Sequence, residues 1–152
     1  MFDILKQIYL FENLNEDEIE KVMSVTEIQS YKQDEVLFRE GSPSDALYII
    51  AQGRVRMSKQ VAYIGEEALS ILEPGEFFGE MGLLDDSPRS ADAIIHEPAN
   101  LLVITRSKFL SLMAENYEIG YKVLLTFART LCSRLRDTND KISNLFTISK
   151  MF

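Results

Sequence analysis

One cysteine and one histidine are all that this 152-residue chain offers to disulfide or soft-metal chemistry. Cys132 alone excludes an intramolecular disulfide, and no CxxC pair is present to build a zinc site. His96 alone excludes metal centres built on histidine pairs, including the histidine-rich site of metal-binding cupin barrels. Long apolar runs are missing as well. No stretch approaches the ~20 residues that span a bilayer, so no membrane partner is expected. The N-terminus, MFDILKQIYLF, lacks the basic start and small-residue cleavage site of a secretory signal. A reducing, cytoplasmic setting is the expectation. Internal repeats, low-complexity tracts and Pro/Gly-rich linkers are absent, and residues 1–152 are expected to fold as a single domain.

Positive charge is scarce over most of the length. Net charge is -8. Residues 1–118 hold 10 Lys and Arg against 22 Asp and Glu, a balance of -12, whereas residues 119–152 hold 6 against 2, a balance of +4. An acidic body of that size repels nucleic acid phosphate. The positive tail reads first as a solvated helix face.

Three zones separate by periodicity. Residues 1–26 read as short helices: Asn15 followed by Glu18 is a helix-start signature, and Ile19, Val22 and Met23 then mark one buried face. Residues 27–105 read as strands. Short runs at 46–50, 67–72 and 101–104 are rich in strand formers, and glycines and prolines, Gly53 and Pro98 among them, punctuate them. Many short strands in one small domain imply an antiparallel roll or jelly-roll barrel. Residues 106–146 are helical again, with a long helix from about Glu118 to Phe146. The resulting class is α+β, mainly β. Along the long helix Tyr121, Leu124, Ala128, Leu131, Leu135, Thr138, Ile142 and Leu145 form a heptad seam, flanked by Leu125, Cys132, Asn139 and Phe146. One side of this helix is expected to pack on the barrel and the other to meet a second copy of itself. The alternative is a helix lying wholly on its own domain. Cys132, on the apolar stripe, is expected to be buried.

The segment that carries chemistry is Gly75 to Ala91, GEFFGEMGLLDDSPRSA. Residues 79–84 have room for about one and a half helical turns, whose first amides lack internal partners and suit an anion. Arg89 is the only Lys or Arg between Lys59 and Arg106. A guanidinium in an acidic body suggests capture of one phosphate-like group, and the Glu80 carboxylate suits a sugar hydroxyl. The competing reading is an ion pair between Glu80 and Arg89 that merely closes the loop. Neither GxxxxGK nor GxGxxG is present.

The same segment resembles the phosphate-binding cassette of cyclic nucleotide-binding domains, through FGEMGLL at 78–84 and PRSA at 88–91. A second stretch, EGSPSDALYIIAQGRV at 40–55, is similar to that family's turn, strand and glycine-turned strand. The resemblance covers nearly the whole chain. It implies that Arg89 neutralises a cyclic phosphate with help from Ser90 and the Ala91 N–H. It also implies that Glu80 and the Gly79 backbone hold the ribose 2'-hydroxyl, and that Met81 and Gly82 line the pocket. The family usually has Ala or Ser where Gly82 stands, so a looser cassette helix is expected. The tail resembles the dimer helix of bacterial catabolite-activator regulators, which places Thr138 and Asn139 at the purine. The ligand implied is cAMP, with cGMP less favoured, and no cofactor or metal is expected. Those regulators continue into a helix-turn-helix domain. Thr147 to Phe152 are too few for one, so direct DNA binding is not expected, and the effect would pass to a downstream protein through the moving C-terminal helix of a homodimer.

Two other functions compete with a non-enzymatic sensor. One is a ligand-free dimeric interaction module that retains the fold. The other is an enzyme, which is not expected: no nucleophile stands beside a base, and His96, next to Glu97 and Pro98, reads as a strand-end turn residue. Asp85 and Asp86 read as a solvated loop tip, and Arg134 as a solvated charge, the alternative being that it reaches over a ligand.

Overall fold

The computed structural model describes residues 1–149; Lys150, Met151 and Phe152 lie outside the described residues. The chain opens with α1 (Phe2–Gln7), a 3-10 turn at Tyr9–Phe11 and α2 (Glu16–Ser24). The start of α2 is the expected one. The Asn15 side chain accepts from the Glu18 N–H at 3.0 Å, and the Glu18 carboxylate accepts from the Asn15 N–H at 2.8 Å. Each residue thereby satisfies an amide that the first helical turn leaves without a partner.

Six antiparallel strands follow: β1 (Glu27–Tyr31), β2 (Val36–Phe38), β3 (Ala46–Val61), β4 (Gly65–Leu72), β5 (Phe77–Phe78) and β6 (Asp92–Thr105). They form one sheet in the order β1-β6-β3-β4, with β2 added to β6 and β5 added to β3. This is the expected β-roll. The apolar runs at 46–50 and 101–104 are each two interleaved half-patterns. Leu47, Ile49, Leu102 and Ile104 join the core beneath the helices, while Ala46, Tyr48, Ile50, Leu101 and Val103 fill the interior of the roll. A strand buried on both faces reads as continuous apolar sequence because side chains alternate across it.

Gly53 and Pro98 were expected to punctuate strands, yet β3 and β6 run straight past them. Their pairing slips register between Ile50 and Val55. Gly53 adopts φ +81°, and a β-carbon there would collide with the Pro98 carbonyl oxygen. The glycine therefore makes a bulge rather than a break. His96 likewise lies inside β6, half-buried, with Nδ1 3.4 Å from Arg56 Nη1, and is not a turn residue.

Three further helices stand among the described residues: α3 (Met81–Asp85), α4 (Arg106–Glu115) and α5 (Tyr117–Ser149). The expected 118–146 helix is longer at both ends. The face of α5 that packs on the domain runs through Ile119, Val123 and Phe127, with the Phe127 ring 5.0 Å from Phe77 and 5.7 Å from Phe109. Lys122 fastens this face to α2, its Nζ lying 3.0 and 2.8 Å from the two oxygens of buried Glu18. Burial raises the Glu18 carboxyl, but Lys122 and the Asn15 N–H outweigh it and leave the group below its usual range. The heptad seam lies on the other side. Tyr121, Leu135 and Leu145 are 68, 61 and 66% exposed. Cys132, expected to be buried, is exposed, because it sits off the packing row. Among the described residues no helix is long and apolar enough to cross a membrane.

One buried carboxylate fixes the approach to the cassette. Asp92, at the start of β6, accepts from the Glu40 N–H at 2.7 Å and from Arg39 Nη1 at 2.9 Å. Burial pushes its carboxyl up, but these donors together hold it below the ordinary 3.8. A depressed folded-state value means stability that is present above pH 3.8 and lost as pH falls through the folded value. Asp92→Asn is expected to lower unfolding free energy at pH 7 by about 1 kcal/mol, the difference between a charged and a neutral acceptor. Denaturant melts at pH 7 and pH 3 check this: the gap between variant and wild type should narrow at the lower pH.

Candidate functional site

The cassette lies between β5 and β6. After Phe78 the backbone turns sharply at Gly79, whose φ is +81° and whose missing side chain leaves room for Arg89; a β-carbon there would collide with Arg89 Nη1. Helix α3 follows and ends on Asp86, in the left-handed region at φ 62°. Asp85 and Asp86 form the expected exposed tip, where Asp85 accepts from the Ser87 N–H at 3.0 Å and Asp86 pairs with Arg106 at 2.9 Å. Pro88 then delivers Arg89 back under the loop.

These turns line one cavity of about 780 Å³. Gly79 to Gly82 and Arg89 to Ala91, the residues expected at the phosphate and ribose, are all on its wall, and Thr138 reaches it from α5. Asn139 does not line it and is exposed. Leu69 and Ile71 of β4 add apolar surface.

The two expected charges are both buried, Arg89 at 4% and Glu80 at 2% exposure, and they do not pair with each other. The loop-closing ion pair is therefore absent. Arg89 donates from Nη1 to the Gly79 carbonyl at 3.1 Å and from Nη2 to the Ala46 carbonyl at 2.9 Å and Asp45 Oδ1 at 3.0 Å. Its guanidinium carbon lies 4.1 Å from the centroid of the Phe38 ring, a cation–π stack. Arg89 Nε is buried and has no acceptor among the described residues.

Glu80 is claimed from another direction. Arg134 Nη1 donates to Glu80 Oε1 at 2.6 Å and Nη2 donates to the Phe77 carbonyl at 2.7 Å. Arg134 was expected to be a solvated charge; it is the bridge between the cassette and α5. Burial raises the Glu80 carboxyl above its usual range, with Arg134 and then Arg89 pulling against that rise. Sequence reasoning also missed Asp45, Asp137 and Lys141, the last two on the cavity wall. One signal could have found Arg134: it stands four residues before Thr138, hence on the same side of the helix.

A buried guanidinium, a buried carboxylate and apolar surface thus share one wall. A cyclic nucleotide-binding domain family model matches residues 28–116. The chain belongs to the cyclic nucleotide-binding domain family. It is 34% identical over 122 residues to the cyclic AMP receptor protein of Thermus thermophilus, covering 80% of this chain and 56% of the receptor. It thus spans little more than half the length of that curated relative. A crystal structure of a cyclic nucleotide-binding domain from Methylobacillus flagellatus superposes with a TM-score of 0.81 at 29% identity, covering 93% of this chain and 79% of that one. The regulatory domain of Toxoplasma gondii PKA, co-crystallised with cAMP, gives 0.66 at 29% identity, over 73% of this chain and 42% of that one.

Gly82 departs from the expectation of a loose α3 in this cyclic nucleotide-binding domain. It is buried, and a β-carbon would collide with the Ser44 hydroxyl and the Ser87 carbonyl oxygen. Ser44 donates to that same carbonyl at 2.9 Å and so fills the space that an alanine methyl would need. The helix is tightly packed by a neighbour instead of loosened by a gap. Gly82→Ala is expected to destabilise the fold by about 1–3 kcal/mol through overpacking. Adding Ser44→Gly should recover part of the loss, as read from denaturant midpoints of the two variants.

Proposed function

We propose that this domain is a non-enzymatic sensor of a cyclic nucleotide, cAMP in preference to cGMP, that reports binding through α5. The observation that carries the reading is the meeting of two buried charges of opposite sign on one cavity wall, one of them held by a side chain of the long helix. Arg89, Ser90 and the Ala91 N–H take the cyclic phosphate. Gly79 and Glu80 take the ribose, Met81 and Gly82 shape the wall, and Thr138 serves the purine. In the absence of phosphate, the exposed Asp45 carboxylate supplies the anion that Arg89 requires. Ribose must share Glu80 with Arg134, so occupancy and helix position draw on one carboxylate. A ligand that favours one helix position shifts a two-state equilibrium, by a coupling on the order of 1–3 kcal/mol.

The exposed seam of α5 supports a homodimer through residues 118–146, with a cytoplasmic downstream protein as the receiver of the signal. A specific observation favours a second reading: both terminal nitrogens of Arg89 are held by protein acceptors, as in a structural arginine of a ligand-free dimeric interaction module.

Calorimetric titration with cAMP and cGMP separates the two. The sensor reading expects Arg89→Ala to weaken binding by about 2–5 kcal/mol, because a phosphate charge loses its partner. Binding indifferent to that change would remove the site assignment, and a dimeric wild type silent to both nucleotides would leave the interaction module. The dimer has its own check. Leu135→Glu places a charge in the apolar seam and should convert the light-scattering mass from two chains to one.

A further inference from the structure

A second cavity, of about 560 Å³, lies between the N-terminal segment, the turn before β5 and α5. Arg134 stands on the wall of both cavities. It gives one N–H to Glu80 and one to the Phe77 carbonyl, and the rest of its fork is unspent. Arg129 lies one turn earlier on the second wall. Among the described residues Arg39, Arg54, Arg56, Arg89, Arg106 and Arg134 pair with carboxylates, whereas Arg129 has no ion pair or hydrogen bond. Ser133, four residues on and so on the same face, makes none either. Thr130 departs from its kind. Thr126, Thr138 and Thr147 each donate to the carbonyl four residues back, at 3.2, 2.8 and 3.0 Å, but half-buried Thr130 donates to nothing among the described residues. The carboxylate on this wall, Glu76, has Oε2 occupied by the Glu73 N–H at 2.8 Å. Tyr9 and Pro74 add apolar surface. An unpaired cation and spare hydroxyls thus meet a nonpolar flank, in a body that is otherwise acidic.

We propose that this cavity is an effector site for a small organic anion, a carboxylate or phosphate carried on an aromatic body. The charged group accepts from the Arg129 fork and from the hydroxyls of Ser133 and Thr130, and the ring lies on Tyr9 and Pro74. Arg129 and Ser133 stand roughly 160° around the helix from Leu131 and Leu135, so a second chain on the seam leaves the cavity open. The effect on the first cavity passes through Arg134 and rests on the sensor reading. An anion that takes the spare N–H groups of Arg134 weakens its hold on Glu80 and releases that carboxylate to ribose. Anion and cyclic nucleotide therefore strengthen each other by the same factor.

The probes are benzoate and phenyl phosphate, which separate carboxylate from phosphate, with benzamide as the uncharged control. Amide chemical shifts of the full chain should change saturably at Arg129, Thr130 and Ser133 with at least one charged probe, and not with benzamide. Arg129→Ala should weaken that probe about tenfold, the scale of one hydrogen bond to a charged group. Its melting midpoint should hold, because Arg129 is exposed and makes no bond among the described residues. Thr130→Val, the same shape without the hydroxyl, should weaken the probe about threefold. In calorimetry, saturating probe should tighten cAMP about fivefold. Silence of both charged probes, or binding indifferent to Arg129→Ala, overturns the site. Probe binding that leaves cAMP affinity unmoved overturns the effector role. A wild type that binds the probe but no cyclic nucleotide ends the sensor reading and leaves the anion site standing.

Discussion

A guanidinium and a carboxylate withdrawn from water each need a partner, because an unpaired buried charge costs several kcal/mol. Arg89 and Glu80 sit on one wall, close enough for Arg89 to influence the Glu80 carboxyl, yet neither satisfies the other. Arg89 draws on two backbone carbonyls and Asp45; Glu80 draws on Arg134. Had they paired with each other, the loop would be closed and chemically spent. Divided as they are, each depends on a group from a distant part of the chain, and three segments, the 41–46 loop, the cassette and α5, are tied to a single small region. The tight turn at Gly79, the packed Gly82 and the short α3 all serve to hold these two side chains apart and inward.

The partition between what was legible and what was not follows from chain separation. The cassette is local: its glycines, its proline and its arginine stand within 17 residues, so spacing suggests an anion-binding loop and the family resemblance identifies the cassette. The capping box before α2 is local too, and both halves form as written. Asp45 and Arg134 are 44 and 54 residues from the groups they serve, and beyond the spacing of Arg134 to Thr138 nothing nearby announces a partner. An arginine on an amphipathic helix looks solvated until the fold shows what faces it. Gly53 and Pro98 illustrate a different limit. A left-handed glycine serves a turn and a bulge equally well, and the choice belongs to the partner strand. On α5, two apolar faces compete in one sequence. The heptad count found the exposed face because it is the more regular, while the packing row of Ile119, Val123 and Phe127 is short and ends as the helix leaves the domain.

That departure gives α5 its character. A helix of 33 residues is about 50 Å long, more than the domain beneath it can cover. From Leu135 to Ile148 every residue is exposed. An isolated helical stretch of that length is marginal in water and draws its stability from whatever covers its apolar face. Among the described residues Arg134 is the last of α5 bonded to the cassette, and the wholly exposed stretch begins directly after it at Leu135. In the proposed sensor, a change at Glu80 is thus felt where packing against the roll gives way to packing against a second chain. The stretch beyond Arg134 carries such a change outward along the helix axis toward Leu145. In the proposed sensor the carboxylate assigned to ribose is therefore also the one best placed to set the helix.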